Sequence, residues 1–183
     1  MRPAWRQSMR LASILLALLL GACAQVPSSP RAPDVEFDLT GRLAARYGDE
    51  SFSGNLAWRH APSADEMLIS TPLGQGVARI AREAGTVSLT TAEQREYRAA
   101  DAESLTQEIL GFRLPLAGLA DWVRARPAPG APAEIERDAE GRPSRLRQSG
   151  WQIEYQAYEE GLPSRLRLSY PGLELRLAIS RWN

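Results

Sequence analysis

Hydrophobic and polar residues alternate along most of the chain after residue 36, which is the period of a β-strand. The first such stretch places Phe37, Leu39, Gly41, Leu43 and Ala45 on one face. Comparable stretches recur around residues 55–59, 67–69, 77–82, 87–89, 97, 151–157 and 173–180, with turn signals between many of them. Short strands at this spacing predict an antiparallel meander of about eleven strands.

The period changes between residues 102 and 123. Ala102, Leu105, Ile109 and Phe112 are spaced three, four and three apart, and Asp101 stands at an N-cap position. This pattern predicts one helix ending near Phe112. A second helix is predicted from Pro115, with Leu116, Leu119, Trp122 and Val123 on its apolar side, ending before the proline-rich run 127–132.

These helices need an apolar surface to cover. A sheet of about eleven strands tends to curl or close, and its concave face is the one surface that suits two amphipathic helices. The sequence therefore predicts a mainly β domain with inserted helices packed inside one strongly curved sheet.

The N-terminus has the layout of a bacterial lipoprotein signal. Arg2, Arg6 and Arg10 precede a short apolar run at 11–20, which is followed by Gly21-Ala22-Cys23. Cleavage would remove residues 1–22 and leave Cys23 as an acylated first residue. Two alternatives are a non-lipidated signal peptide and an uncleaved anchor, although the apolar run is short of the roughly 20 residues that a membrane span needs.

The rest of the chain divides into a tether at 23–35 and a single domain at 36–183. The tether is rich in proline and small residues, which do not build a packed core. Ala24 stands where an aspartate would mark inner-membrane retention in such lipoproteins, so the analogy points to the outer membrane. Loss of the signal would leave 19 basic against 22 acidic residues, a balance that disfavours nucleic-acid binding.

The sequence holds no recognisable catalytic or metal-binding motif. His60 is the one histidine and Cys23 the one cysteine, so neither a Ser-His-Asp arrangement with a nucleophile elbow nor a Cys/His metal site is indicated. Leu73-Gly74-Gln75-Gly76 lacks the length and the lysine of a phosphate loop. We expect no enzyme activity and no cofactor beyond the lipid on Cys23, and we expect His60 to lie at the surface near a loop.

An arginine-rich pentapeptide occurs twice. Pro143-Ser144-Arg145-Leu146-Arg147 recurs at 163–167, and in a meander these segments would flank the strand around Glu154. Their arginines are expected to share the outer face with Glu154 and to form cross-strand ion pairs. A solvated outer face is the simplest interpretation, and a docking surface for a partner is the alternative.

Several landmarks occur in an order that resembles the LolB family of outer-membrane lipoprotein receptors, over about residues 36–183. They are the lipoprotein cysteine, Thr40-Gly41-Arg42-Leu43, Ser53-Gly54-Asn55-Leu56-Ala57-Trp58, Thr71-Pro72-Leu73-Gly74-Gln75, Gly111-Phe112-Arg113-Leu114-Pro115-Leu116, Trp122, Gln148-Ser149-Gly150-Trp151, Tyr155 and Trp182. One departure is that members of this family carry a helix before the first strand, whereas residues 24–34 are proline-rich here.

The resemblance implies an unclosed antiparallel β-barrel with a helical lid, as in the LolA and LolB proteins. It also implies a monomeric receptor that accepts acylated lipoproteins from the periplasmic carrier LolA and inserts them into the outer membrane. The alternative is a structural or assembly lipoprotein on the same tether that transfers no cargo.

In the resembling family, a leucine in the same Pro-Leu-Gly loop protrudes and promotes insertion of cargo into the membrane. Pro72, Leu73 and Gly74 match that loop, so Leu73 is expected at an exposed tip. The alternative is that Leu73 folds back on its own sheet.

A second set of residues is predicted to line an acyl-binding cavity, because their strand parity or helical face points inward, although each could equally be ordinary core. These residues are Leu43, Leu56, Trp58, Leu68, Val77, Leu89, Leu105, Ile109, Leu119, Trp122, Ile153 and Tyr155.

Overall fold

The computed structural model describes residues 35–83, 85–110 and 113–183. Eleven β-strands and two α-helices lie in this part of the chain, in the order β1 (Phe37–Tyr47), β2 (Glu50–Ala61), β3 (Ala64–Ser70), β4 (Gly76–Glu83), β5 (Thr86–Thr91), β6 (Glu96–Ala99), α1 (Ala102–Leu110), α2 (Leu116–Trp122), β7 (Ala133–Arg137), β8 (Pro143–Gln148), β9 (Trp151–Glu159), β10 (Leu162–Tyr170) and β11 (Leu173–Trp182). The predicted signal peptide at 1–22, Cys23 and the tether up to residue 34 lie outside the described residues.

All eleven strands belong to one antiparallel sheet in the order β6-β5-β4-β3-β2-β1-β11-β10-β9-β8-β7. Neighbours in the chain are neighbours in the sheet, except that β1 pairs with β11 and thereby joins the two ends of the domain. β6 and β7 form the edges, so the sheet is an unclosed barrel, and the helical segment is the covalent link between these edges. This confirms the predicted fold class.

Alternating burial shows which face of the sheet is the inside. Phe37 and Leu39 of β1 and Leu173, Leu175 and Leu177 of β11 are all buried, whereas their sequence neighbours are more exposed. The described residues have a hydrophobic core of their own that draws on both helices and most strands. The part of the chain from residue 35 onward therefore has what a domain needs to fold alone.

Specific polar contacts fix both helices. The Ser104 backbone N–H donates to Asp101 Oδ1 at 2.7 Å, which confirms Asp101 as the N-cap of α1. The buried Thr106 hydroxyl donates to the Ala102 carbonyl and accepts from the Leu114 N–H, both at 2.8 Å. Thr106 thus connects α1 to the segment before α2. The second helix begins at Leu116, one residue after the predicted start, and the predicted end of the first helix at Phe112 lies outside the described residues.

Antiparallel pairing brings alternate turns to the same end of the barrel. We call one of these ends the rim. It is formed by the turns at 48–49, 71–75, 92–95, 149–150 and 171–172. The opposite end carries the start of β1, the end of β11 and the turns at 62–63 and 160–161.

Candidate functional site

Part of the space inside the concave face of the sheet is not filled by side chains. The concave face encloses a cavity of about 410 Å³ that opens at the rim, within the range of about 300–1,000 Å³ that is usual for ligand pockets. The lining is apolar except near the opening. It consists of Leu43, Ala45, Tyr47, Glu50, Ser51, Phe52, Leu56, Trp58, Met67, Ile69, Val77, Ala78, Ile80, Leu89, Ile109, Leu114, Leu119, Val123, Leu168, Leu175 and Leu177.

The polar lining residues all lie at the mouth. Tyr47, Glu50 and Ser51 come from the β1–β2 hairpin at the rim, whereas the deeper wall is aliphatic and aromatic. Phe52 beside them lies over Gly54, where a Cβ atom would be 2.7 Å from the Phe52 ring and 2.2 Å from the Ser70 carbonyl oxygen. Gly54 therefore lets the Phe52 ring fold into the mouth. Such a cavity can hold an apolar chain and expose the chain's polar end.

Part of the predicted lining set does face this cavity, namely Leu43, Leu56, Trp58, Val77, Leu89, Ile109 and Leu119. Leu105, Trp122, Ile153 and Tyr155 are buried, as their periodicity indicated, but they pack in the solid part of the core and do not line the cavity.

The prediction for Leu68 is wrong. Its side chain is 46% exposed on the outer face of β3, whereas Met67 and Ile69 point into the cavity. The cause is the register. Met67 pairs with Trp58 and Leu68 with Ala57, so Met67 shares the inner face with Trp58. The run Met67-Leu68-Ile69 is entirely apolar, and its own pattern does not reveal which residues point inward.

The β3–β4 turn holds Leu73 at the rim. The Thr71 N–H donates to the Gln75 carbonyl at 2.8 Å, and the Gly74 N–H donates to the Thr71 carbonyl at 2.9 Å. Gly74 adopts φ +86°, a conformation that glycine adopts without strain. Leu73 is 91% exposed at the tip of this turn and does not fold back on the sheet. The turn therefore presents Leu73 to solvent at the rim, and its use in membrane insertion stays a prediction.

The buried Gln148 at the end of β8 connects the helical segment to the sheet, and no pattern in the sequence marks it for this role. Its Oε1 accepts hydrogen bonds from Trp122 Nε1 and the Ala128 N–H, both at 2.8 Å. Its Nε2 donates to the Ala128 and Ala131 carbonyls, also at 2.8 Å. The amide thereby uses both donors and both acceptor positions.

Tyr155 makes a second hydrogen-bonded connection between the sheet and α2. Its hydroxyl donates to the Trp122 carbonyl at 2.9 Å, and its burial raises the pKa of the phenol well above the usual value. Together with Gln148, it fixes the C-terminal end of α2, and this holds Leu119 and Val123 at the cavity wall.

A buried polar cluster lies at the end of the barrel opposite the rim. His60 was predicted at the surface, but it is buried, and its Nδ1 lies 2.7 Å from Asp65 Oδ1. Asp65 also accepts hydrogen bonds from Trp58 Nε1 at 2.9 Å and from Arg82 Nε at 2.6 Å. The Phe37 ring stacks on His60 at 4.9 Å. His60 lies on the inward-facing side of β2, and the contact between its ring and Asp65 compensates for the burial of a polar group.

The outer face near β9 carries the arginines of the repeated pentapeptide. Arg145 and Arg167 lie 3.8 and 3.7 Å from the Glu154 carboxylate, as the meander predicts. Arg147 pairs with Glu136 at 2.9 Å. These exposed pairs neutralise much of the local charge. Their use as a docking surface stays a prediction.

In residues 35–83, 85–110 and 113–183, no group of three or more His, Cys, Asp or Glu side chains is placed to hold a metal ion. Within the same ranges, no helix has the length and apolar composition needed to cross a bilayer.

The chain is similar in sequence to known outer-membrane lipoproteins. Outer-membrane lipoprotein LolB of Thiobacillus denitrificans is 43% identical over 180 residues, covering 94% of this chain and 97% of the relative. Outer-membrane lipoprotein LolB of Nitrosomonas europaea is 43% identical over 152 residues, covering 80% and 72%. Among solved structures, a DUF1329 family protein from Desulfovibrio piger superposes with a TM-score of 0.50 at 8% identity, covering 84% of this chain and 86% of that protein, which indicates a shared fold and no more.

A sequence model of the family described as "Outer membrane lipoprotein LolB" matches residues 35–182. That match spans every strand and both helices of the described fold. With the two relatives above, it shows that this chain belongs to the LolB family of outer-membrane lipoproteins.

Proposed function

We propose that this protein is an outer-membrane-anchored receptor that accepts acylated lipoproteins from a periplasmic carrier of the LolA type and inserts them into the outer membrane. The observation that carries this proposal is an open apolar cavity whose mouth lies at the same end of the barrel as the exposed Leu73. The protein acts by binding and release, without an enzymatic step or a cofactor.

The cavity suits the chemistry of the cargo. Exposing one acyl chain of about 16 carbons to water costs on the order of 12 kcal/mol, at about 0.8 kcal/mol for each methylene. A transfer protein has to supply apolar surface in place of that water, and the wall here is apolar below the mouth. Without an energy source, cargo moves only toward higher affinity, from carrier to receptor and finally to the bilayer.

The anchor belongs to the same proposal. Removal of residues 1–22 would leave Cys23 with its acyl groups in the outer membrane, and residues 24–35 would connect it to β1. The protein would act as a monomer on the periplasmic side of that membrane.

The decisive experiment follows labelled cargo. A chain of residues 24–183 is mixed with carrier that holds a radiolabelled acylated lipoprotein, and the two proteins are then separated. We expect the label to move to this protein. Label that stays on the carrier, with a folded receptor, would favour the structural lipoprotein and refute the receptor.

Insertion is tested separately at Leu73. Leu73→Glu places a charge at the exposed tip, where it contacts none of the core, so folding and cargo uptake are expected to stay intact while transfer from receptor to vesicles fails. Leu68→Glu is the matched control, since Leu68 is also exposed but lies on the side wall of the barrel. Equal insertion by both variants would remove Leu73 from the mechanism.

A further inference from the structure

Exposed apolar side chains concentrate at the rim. Among the described residues, the large hydrophobic side chains with substantial exposure are Val35, Tyr47, Leu68, Leu73 and Tyr170. Three of these lie at the rim, namely Leu73 at 91%, Tyr170 at 42% and Tyr47 at 40% exposure. Since the cavity opens at this end, the apolar side chains lie beside its mouth.

The two tyrosines belong to one row across the sheet. Tyr47 of β1 and Tyr170 of β10 both pair with Leu173 of β11, so all three residues lie on the concave face. The row continues into β9, where the Trp151 ring stacks on Tyr170 at 5.2 Å between ring centres. Strands are about 4.8 Å apart, so the two tyrosines stand roughly 10 Å apart at the lip of the mouth.

The chemistry of this row matches a bilayer surface better than a protein partner. Tyrosine combines an apolar ring with a polar hydroxyl and is enriched at the level of lipid headgroups. Charges of both signs surround the row, with Arg46, Asp49 and Glu50 on the β1–β2 hairpin. Because the rim charges are of both signs, they form no patch that would attract an oppositely charged protein. The attraction of the rim to a membrane would come from the two tyrosine rings and from Leu73.

The length of the N-terminal segment permits this orientation. β1 begins at the end opposite the rim, where the Glu36 N–H donates to the His60 carbonyl at 2.9 Å. The 13 residues from 24 to 36 between Cys23 and β1 can span at most about 45 Å. The 11 residues of β1 rise about 36 Å. An acylated Cys23 and the rim can therefore reach the same membrane.

We propose that Tyr47 and Tyr170 are interfacial anchors that seat the rim on the bilayer at headgroup level, with Leu73 reaching deeper and the cavity mouth facing the lipid. This inference rests on the proposed function, and it adds the surface and the orientation by which the receptor meets the membrane. Because the rim charges are mixed, the association depends little on anionic lipid or on salt.

The test uses the chain of residues 24–183, which contains no cysteine. An environment-sensitive dye is attached to a cysteine that replaces Ser149 at the rim or Ser63 at the opposite end, both exposed turn serines. Neutral phosphatidylcholine vesicles are then added. We expect a blue-shifted, brighter emission from the Ser149→Cys chain and no change from the Ser63→Cys chain. The reverse pattern, or an equal response, would overturn the orientation.

Variants of the tyrosines test their role directly. Tyr47→Ser and Tyr170→Ser are each expected to lower the vesicle partition coefficient about threefold, whereas Leu68→Ser on the side wall leaves it unchanged. Unchanged partition of both tyrosine variants would overturn the proposal, and so would a tenfold fall in partition when 0.5 M salt is added.

Uptake of cargo from the carrier, measured without vesicles, separates this inference from the proposed function. Tyr170→Ser is expected to take up cargo normally, because Tyr170 does not line the cavity. Loss of its uptake with intact vesicle binding would make Tyr170 a cargo contact and overturn the anchor. If the unmodified chain binds vesicles through the rim but takes no cargo, then the receptor proposal fails and the membrane surface stands.

Discussion

Replacing Gln148 with methionine tests whether one buried amide holds the helical segment on the sheet. Methionine has nearly the same length and fills the same space, but it neither donates nor accepts strongly. The change leaves the buried Trp122 Nε1 without its acceptor and removes three bonds to the backbone of Ala128 and Ala131.

These four hydrogen bonds determine the expected loss in the free energy of unfolding. A buried donor left without a partner costs about 1–3 kcal/mol, and Trp122 Nε1 is such a donor. Ala128 is only half-buried and Ala131 is exposed, so water can replace their lost bonds at a smaller cost of roughly 0.5 kcal/mol each. Gln148→Met should therefore lower the free energy of unfolding by about 3 kcal/mol, a large share of the roughly 5–15 kcal/mol of a typical domain.

Urea unfolding followed by tryptophan fluorescence measures this loss, since Trp122 lies 5.8 Å from Trp151 and reports on the region. With a slope of about 1–3 kcal/mol/M in urea, the midpoint should fall by roughly 1–3 M. Gln152→Met is the matched control, because Gln152 makes its hydrogen bonds to Glu154 and Arg147 on the outer face. A midpoint for Gln148→Met within 0.3 M of this control would show that the Gln148 amide does not hold the helical segment on the sheet.

Two further predictions concern the cavity and the alkaline limit of stability. Ala45→Phe should fill the cavity and lower acyl-chain binding at least tenfold, whereas Ala44→Phe on the opposite face should not; equal affinities in a fluorescent fatty-acid titration would show that chains bind elsewhere. Tyr155→Phe removes the bond to the Trp122 carbonyl and should cost about 1 kcal/mol at pH 7. Burial raises the pKa of Tyr155, so the tyrosine stabilises the fold fully below the unfolded pKa near 10 and loses that contribution as pH rises further. The difference in urea midpoint between the Tyr155→Phe variant and the unmodified chain should thus shrink from pH 7 to about pH 11. A midpoint difference that stays constant over this range would contradict the prediction.

The strands and helices could be predicted because local pattern and global fold agree in this chain. Phe37, Leu39 and Leu43 alternate with polar residues over a whole strand, and such alternation fixes both the strand and its inner face. Asp101 marked the start of α1 because a carboxylate there accepts the free N–H of the first turn. No comparable signal marked Leu68, whose neighbours Met67 and Ile69 are apolar as well.

Periodicity alone could not show which part of the core is hollow. Ile153 and Leu43 have the same inward parity, yet Ile153 is packed on all sides and Leu43 faces the cavity. Periodicity reports which side of a strand is covered, and it does not report whether the space beyond that side is filled. Gln148 and His60 were missed for a related reason. A polar residue in a sequence normally indicates the protein surface. Its burial becomes favourable only when distant parts of the chain supply hydrogen-bond partners that offset the loss of hydration.

The two kinds of contact that the helical segment makes suggest how the cavity can accept chains of different length. The C-terminal end of α2 is bound by directional hydrogen bonds from Gln148 and Tyr155, which would be lost if that end moved. On the cavity side, the apolar side chains of Leu119 and Val123 line the space. Apolar contacts are non-directional, so an acyl chain can replace the contacts of these side chains with the sheet at little net cost. Under the proposed function, the hydrogen bonds of Gln148 and Tyr155 would fix the frame of the cavity, and the apolar wall could repack around an acyl chain.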